Sequence, residues 1–106
     1  YVLVGSVSAL GGYAISRDTI QGEIDRTYSR LWDSSIKVLE IMGSIKTEDK
    51  SKGVIEAKVD DSEVKIKIEE LTPKTIRFRV TARKYLFPDM RLAQKIYIKV
   101  VEHSKK

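Results

Sequence analysis

The sequence predicts an α+β fold: a two-layer sandwich with an antiparallel sheet and two helices on one face, in the order β-α-β-β-β-β-α, preceded by an apolar, glycine-rich N-terminal arm. Three observations predict it. Segments between residues 53 and 83 alternate apolar and charged residues with a period of two, which is typical of antiparallel strands with one buried and one wet face. Two flanking segments carry apolar residues at spacings of three and four, as amphipathic helices do. A chain of 106 residues is long enough for one core and too short for two.

The first predicted helix has clear ends. Thr27 can cap its first turn, and Gly43 stands at the usual terminating position. Between them, apolar residues recur at helical spacing: Tyr28, Leu31, Trp32, Ile36, Leu39 and Met42. We interpret this stripe as core rather than as a ligand site. A weaker strand is predicted before the helix, from Ile20 to Asp25, because Gly22 interrupts its pattern.

Four strand-like segments and a second helix complete the predicted domain. The strands are Ile45 to Glu48, Gly53 to Val59, Val64 to Glu69, and Ile76 to Arg83. We expect Pro88 to open the final helix, since proline is favoured at the first helical position. The buried stripe of that helix is Leu92, Ala93, Ile96, Tyr97 and Val100. The residues expected to share one core are Trp32, Leu39, Ile66, Phe78 and Ile96.

The first sixteen residues carry no charge, whereas 33% of the whole chain is charged. We therefore divide the chain into an apolar N-terminal arm, residues 1–18, and an α+β domain, residues 19–106. An apolar, glycine-rich arm needs a surface to cover it. We expect that surface to lie outside the domain's own core, in a membrane, a neighbouring subunit or another protein. The uncharged run is shorter than the roughly eighteen residues expected of a membrane-spanning helix.

The arm has three interpretations. As a helix, its small residues form faces that let two backbones approach closely in a membrane. As an extended strand, it completes the open sheet edge of a neighbouring copy. As a tether, it links the domain to a lipid. We favour the strand, because Gly11, Gly12 and the β-branched residues suit extended backbone, and we expect residues 1–14 to be buried against another copy. The predicted self-association residues are Tyr1, Val2, Leu3, Val4, Val7 and Leu10.

A basic stripe is predicted on the wet face of the sheet. It consists of Lys65, Lys67, Arg77, Arg79 and Arg83. Like charges on neighbouring strands destabilise the pair, so a solvated face competes with one that binds an acidic partner or a phospholipid head group. Nucleic acid is disfavoured, because no aromatic residue for base stacking is interleaved with these cations. The net charge of +5 is compatible with acidic partners in general.

The sequence holds no set of residues that indicates catalysis. It has no cysteine, which excludes thiolate metal sites, thiol nucleophiles and disulfides. His103 is the only histidine and lies beside the chain end, where a cation near a helix C-terminus is favourable. Three acidic pairs occur at predicted strand ends, where carboxylates are ordinary turn residues: Glu48-Asp49, Asp60-Asp61 and Glu69-Glu70. We therefore predict a protein that is not an enzyme and needs no cofactor or metal.

Four segments carry a resemblance to known proteins: Gly11 to Ile20, Tyr28 to Trp32, Gly43 to Lys46, and Leu71 to Thr75. They resemble a family of small bacterial lipoproteins of unknown function, in which an apolar, glycine-rich segment and then this domain follow a lipid-carrying cysteine. The helix start and the strand after it are distantly similar to helix-grip domains of envelope lipoproteins. This sequence lacks the lipidated cysteine. The resemblance implies location in the cell envelope and supplies no catalytic residues.

Two functional hypotheses follow from these observations. In the first, the protein is an exported bacterial structural subunit of the cell envelope or the extracellular space. It self-associates through its arm into a homo-oligomer or a filament. In the second, it is a lipid-anchored envelope accessory that binds another protein or an anionic surface.

Overall fold

The computed structural model describes residues 2–3 and 5–105, with side chains from residue 7 onward. Within those residues it contains eight strands and three helices. They are β1 (Val2–Leu3), α1 (Gly5–Ser8), β2 (Gly12–Ala14), β3 (Thr19–Ile24), α2 (Tyr28–Met42), β4 (Ser44–Asp49), β5 (Val54–Val59), β6 (Ser62–Thr72), β7 (Thr75–Lys84), β8 (Phe87–Pro88) and α3 (Met90–His103). The predicted α+β sandwich is confirmed. Strand β8 was not predicted, and the strand interpretation of the arm is wrong for Gly5–Ser8, which form the short helix α1.

All strands belong to one antiparallel sheet in the order β1-β2-β3-β7-β6-β5-β4, with β8 paired to the end of β7. The long strands β6 and β7 pair over almost their full length and form the centre of the sheet. The helices α2 and α3 pack on one face, α2 against β4, β5 and β6, and α3 against β3 and β7. We call the opposite face the open face.

The core lies between the helices and the sheet. Period-two alternation buries every second residue of β5, β6 and β7 against the helices, while the residues between them lie on the open face. The residues predicted to share one core are all buried together: Trp32, Leu39, Ile66, Phe78 and Ile96. That prediction is confirmed.

The helix ends follow from capping. The Thr27 hydroxyl accepts a hydrogen bond from the Arg30 backbone N–H at 3.3 Å, and the Gly43 N–H donates to the Leu39 carbonyl oxygen at 2.9 Å. Both predicted limits of α2 are confirmed. The predicted start of the last helix is wrong, because Pro88 belongs to β8. The carboxylate of Asp89 accepts from the backbone N–H of Leu92 instead, so α3 begins after Asp89.

The arm folds back onto the sheet of its own chain. Strand β2 pairs with β3 in the register Gly12↔Gly22, and Val7 is 1% exposed within the common core. The expectation that the arm lies outside the domain's own core is therefore wrong for Val7 and for β2. The physical reason is that β3 offers an unpaired edge that a short turn, residues 15–18, can reach within the same chain. Leu10 is partly buried against the same core.

The remaining predicted self-association residues are not placed by side chain. Tyr1 and Val4 lie outside the described residues, and the side chains of Val2 and Leu3 lie outside them as well. The backbone of Val2 and Leu3 forms β1, which pairs with β2 at the end of the sheet.

The facing glycines Gly12 and Gly22 make a slot for Tyr97 of α3. A Cβ atom on Gly22 would collide with the Tyr97 hydroxyl and with the Gly11 carbonyl oxygen, and one on Gly12 would collide with Val7 and the Tyr97 ring. The fully buried ring of Tyr97 packs against Phe78, with ring centroids 5.3 Å apart. Its hydroxyl donates to the Leu10 carbonyl oxygen at 3.2 Å. The slot thus joins the arm to the last helix.

Gly22→Ala is expected to lower the free energy of unfolding by about 1–3 kcal/mol, because the added methyl group overpacks the slot. Urea unfolding followed by circular dichroism measures the change. The control Lys58→Ala, at an exposed position of β5, is expected to stay within about 0.5 kcal/mol of wild type. A Gly22→Ala protein as stable as the control would contradict the slot.

Candidate anion-binding face

The five cations of the predicted basic stripe all lie on the open face, which their strand register brings together. On β6 and β7 the facing pairs are Lys65↔Thr81, Lys67↔Arg79, Glu69↔Arg77 and Glu63↔Arg83. The stripe is therefore one continuous surface. Its charges, however, are not equally offset.

Two arginines of the stripe are paired with carboxylates. Arg77 lies between Glu23 of β3 and Glu69 of β6, with nitrogen–oxygen distances of 3.4 and 3.5 Å. Arg83 contacts Asp18 at 2.6 Å and donates from Nη2 to the Leu86 carbonyl oxygen at 2.7 Å. These two side chains serve the fold, and their charge is largely offset within the chain.

The partner of Arg83 is a strongly hydrogen-bonded carboxylate. Partial burial alone would raise the pKa of the Asp18 carboxyl. Hydrogen bonds from the hydroxyls of Ser16 and Thr19, together with Arg83, outweigh that effect and lower the pKa. Asp18 therefore stays ionised and holds Arg83 in place at neutral pH.

The other three cations have no carboxylate partner among residues 2–3 and 5–105. Arg79 donates from Nε and Nη2 to the neutral amide oxygen of Gln21, at 2.9 and 2.5 Å. Lys67 donates to the backbone carbonyl of Lys52 at 2.9 Å. The Lys65 ammonium makes no hydrogen bond or ion pair with any described residue. Glu56, which faces Lys65 on β5, accepts from the Thr47 hydroxyl.

These three side chains converge on a hollow of about 300 Å³, which Val54 and Thr81 complete. We call it the cationic hollow. Three positive charges at one hollow repel one another, and an anion placed between them would relieve that repulsion. Arg and Lys are also the side chains that bind carboxylate and phosphate oxygens best. The hollow is chemically suited to an anion.

The hollow depends on two residues that the sequence analysis did not single out. The Gln21 amide donates to the Tyr13 hydroxyl at 3.0 Å, which turns its oxygen toward Arg79. Gln21 is only 9% exposed. Nothing in the sequence around this glutamine or this tyrosine predicts that their side chains are in contact. Only the pairing of β2 with β3 brings them together.

The other candidate groups do not assemble into a site. His103 shares a hydrogen bond with the Ser34 hydroxyl at 3.0 Å, on a helix–helix contact. Asp49 accepts hydrogen bonds from Ser51 and Lys52 in the β4–β5 turn, and these lower its pKa. Over the described ranges, no three His, Asp or Glu residues gather as metal ligands.

In comparisons with known proteins, no family model and no curated protein matches this chain. The lipoprotein resemblance stays a prediction. Among the residues that the structure describes, no helix is both long and apolar enough to span a bilayer.

Asp18→Asn is expected to destabilise the protein at pH 7 and to lose that disadvantage in acid. Folding lowers the pKa of Asp18, so its carboxylate stabilises the fold above the ordinary value of 3.8 and stops doing so as the pH falls through the folded-state pKa. Urea unfolding at pH 7 and at about pH 3 measures the gap between wild type and variant. Asp33→Asn, on the exposed side of α2, removes the same charge as a control. A gap of equal size at both pH values would contradict the expectation.

Proposed function

We propose that the protein is a non-enzymatic accessory of the bacterial cell envelope that binds an acidic protein partner on its open face. The observation that carries the proposal is the cationic hollow. Within the described part of the chain, its Lys65, Lys67 and Arg79 have no carboxylate partner, whereas Arg77 and Arg83 do. The envelope location rests on the sequence resemblance described above.

The hollow is built to bind rather than to be merely solvated. The Gln21 amide fixes the Arg79 guanidinium, so little side-chain freedom is lost when an anion arrives. The guanidinium has five N–H donors, and Gln21 accepts from only two of its nitrogens, so donors remain for a carboxylate. Lys65 is exposed and free to adjust to the partner.

The chemistry of the face favours a protein partner over nucleic acid. The described lining of the hollow consists of Val54, Lys65, Lys67, Arg79 and Thr81, and includes no aromatic ring on which a base could stack. Two carboxylate-paired arginines flank the hollow, which limits the continuous positive surface that a phosphate backbone needs. An acidic cluster on a protein fits a hollow of this size.

Binding to a labelled poly-glutamate peptide tests the proposal by fluorescence anisotropy. The double variant Lys65→Gln, Lys67→Gln is expected to bind roughly tenfold more weakly, about 1.4 kcal/mol. The control is the double variant Lys37→Gln, Lys95→Gln, which removes the same charge from exposed positions of α2 and α3, on the opposite side of the sheet. We expect it to change affinity by less than about twofold.

Added salt should weaken wild-type binding, because exposed charges are screened. Two results would contradict the proposal. One is a loss of affinity in the control variant as large as the loss in Lys65→Gln, Lys67→Gln, which would mean that net charge alone determines binding. The other is the absence of wild-type binding at low salt.

A second candidate function is self-association by exchange of the arm between two copies. It is favoured by the pairing of β2 with β3, since a strand that closes its own sheet edge can close the same edge of a neighbour with identical contacts. Residues 15–18 would then serve as the hinge. Val7 and Leu10 would contact the core of the partner copy instead of their own.

The variant Tyr13→Cys, Gln21→Cys tests exchange of the arm. These positions face each other on β2 and β3, and the chain has no other cysteine. If the arm is exchanged, oxidation is expected to give a covalent dimer on a non-reducing gel. A disulfide found only within monomers would contradict the second candidate.

A further inference from the structure

An apolar cluster protrudes at the tip of the β7–β8 hairpin. Three consecutive large side chains are exposed there: Tyr85 by 72%, Leu86 by 83% and Phe87 by 72%. We call them the apolar tip. A single exposed apolar residue is ordinary, but three adjacent ones at the end of a hairpin indicate a binding surface.

The backbone of the turn points to the same conclusion. Tyr85 has a φ of 58°, in the left-handed region that bulky residues rarely adopt. Tight hairpin turns normally place glycine or asparagine at such a position, because these residues enter it at little cost. The chain carries an aromatic ring there at the expense of local stability.

The hairpin is firmly attached to the sheet. Lys84 pairs with Phe87, and the Asp89 N–H donates to the Ala82 carbonyl oxygen at 2.9 Å. Arg83 holds the Leu86 carbonyl oxygen, and Asp18 holds Arg83 in turn. The apolar tip is therefore held outward by hydrogen bonds at its base.

Among the side chains that the structure describes, most of the strongly exposed large hydrophobic ones belong to this hairpin. Among the described residues, five large hydrophobic side chains are exposed: Ile41, Leu71, Tyr85, Leu86 and Phe87. Ile41 lies elsewhere, in a hollow between α2 and α3 that Lys99 and His103 also line. Three of the five thus form the apolar tip itself. The β5–β6 turn, residues 60–61, adjoins the hairpin, because Ser62 pairs with Lys84. The tip is a projection rather than a recess, which suits insertion into a bilayer better than it suits a pocket.

We propose that the apolar tip inserts into the interfacial region of a phospholipid bilayer. Tyrosine and phenylalanine suit that region, and the leucine between them supplies an aliphatic side chain for the acyl boundary. The one charged residue of the segment 84–87 is Lys84, whose ammonium can reach lipid phosphates while its stem stays apolar. Asp60 and Asp61 in the adjacent turn oppose attraction to anionic lipid, so apolar contact carries the binding.

This orientation leaves the cationic hollow available. Arg79 lies five residues before Lys84 on β7, or about 16 Å along an extended strand. With the hairpin inserted end-on, the sheet stands on the bilayer and the hollow faces the aqueous side. The two surfaces are therefore independent, and the proposal for one can be contradicted while the proposal for the other stands.

Site-specific labelling tests the insertion. Because the chain has no cysteine, Leu86→Cys can carry one polarity-sensitive fluorophore in the full-length protein. Its emission is expected to rise and to shift to shorter wavelength when phosphatidylcholine vesicles are added. Leu71→Cys is the matched control, since Leu71 is 41% exposed at the opposite end of β6 and β7. Equal changes at both positions, or a change at neither, would overturn the proposal.

Vesicle co-sedimentation of the unlabelled protein gives an independent readout. Leu86→Ser is expected to lower partitioning into phosphatidylcholine vesicles roughly tenfold, or about 1.4 kcal/mol. Leu71→Ser and the Lys65→Gln, Lys67→Gln variant should partition like wild type, with circular dichroism verifying the fold of each. Binding that requires phosphatidylglycerol and is lost only in the lysine variant would overturn the proposal and assign attraction to the cationic hollow. A tip that is buried in a lipid-free dimer, and freed by Leu86→Ser, would also overturn it.

Discussion

The fold depends on one steric fit, the insertion of Tyr97 between two facing glycines. Gly12 and Gly22 lack the side chains that would fill the space of its ring and hydroxyl. Burial raises the pKa of the Tyr97 phenol, so it stays a neutral donor to the Leu10 carbonyl. Because α3 supplies the ring and the arm supplies one glycine, the first and last segments of the chain fold onto the same sheet edge.

That fit also determines the open face. With the arm docked, β2 places Tyr13 directly opposite Gln21. The tyrosine hydroxyl orients the Gln21 amide, and the amide oxygen in turn fixes Arg79. A steric contact on the helix side of the sheet thus sets the geometry of a cation on the other side. Displacement of the arm would leave Gln21 without its Tyr13 contact and loosen the hollow.

The spacing of apolar residues along the chain was enough to predict which segments are strands and helices and which of their faces are buried. Alternation between Val54 and Arg83 and the helical stripe of α2 gave the correct layers, because burial on one face imposes those periods. The arm was expected to pack outside its own domain, and that expectation was wrong for Val7 and β2. Low charge and high glycine content indicate that a segment is buried, but they do not indicate which surface buries it. The β7–β8 hairpin was missed because Tyr85 and Leu86 are not turn residues by composition. The five cations of the stripe were identified, but their ion pairing depends on Glu23 and Asp18, and only the sheet order brings those close.

The ion pairing also explains how one basic stripe has two roles, one in holding the fold together and one in leaving cations for a ligand. Arg83 joins Asp18, before β3, to the Leu86 carbonyl in the hairpin turn, so its charge is used to hold the apolar tip outward. Arg77 joins β3 to β6 through two carboxylates and stiffens the sheet between them. Of the cations in the stripe, the three between these two arginines have no carboxylate partner among the described residues and are left for a ligand. Glu69 adjoins Lys67 on the open face of β6 but pairs with Arg77, so the carboxylate that fixes the arginine at the rim of the hollow leaves the lysine at its centre without an ion pair.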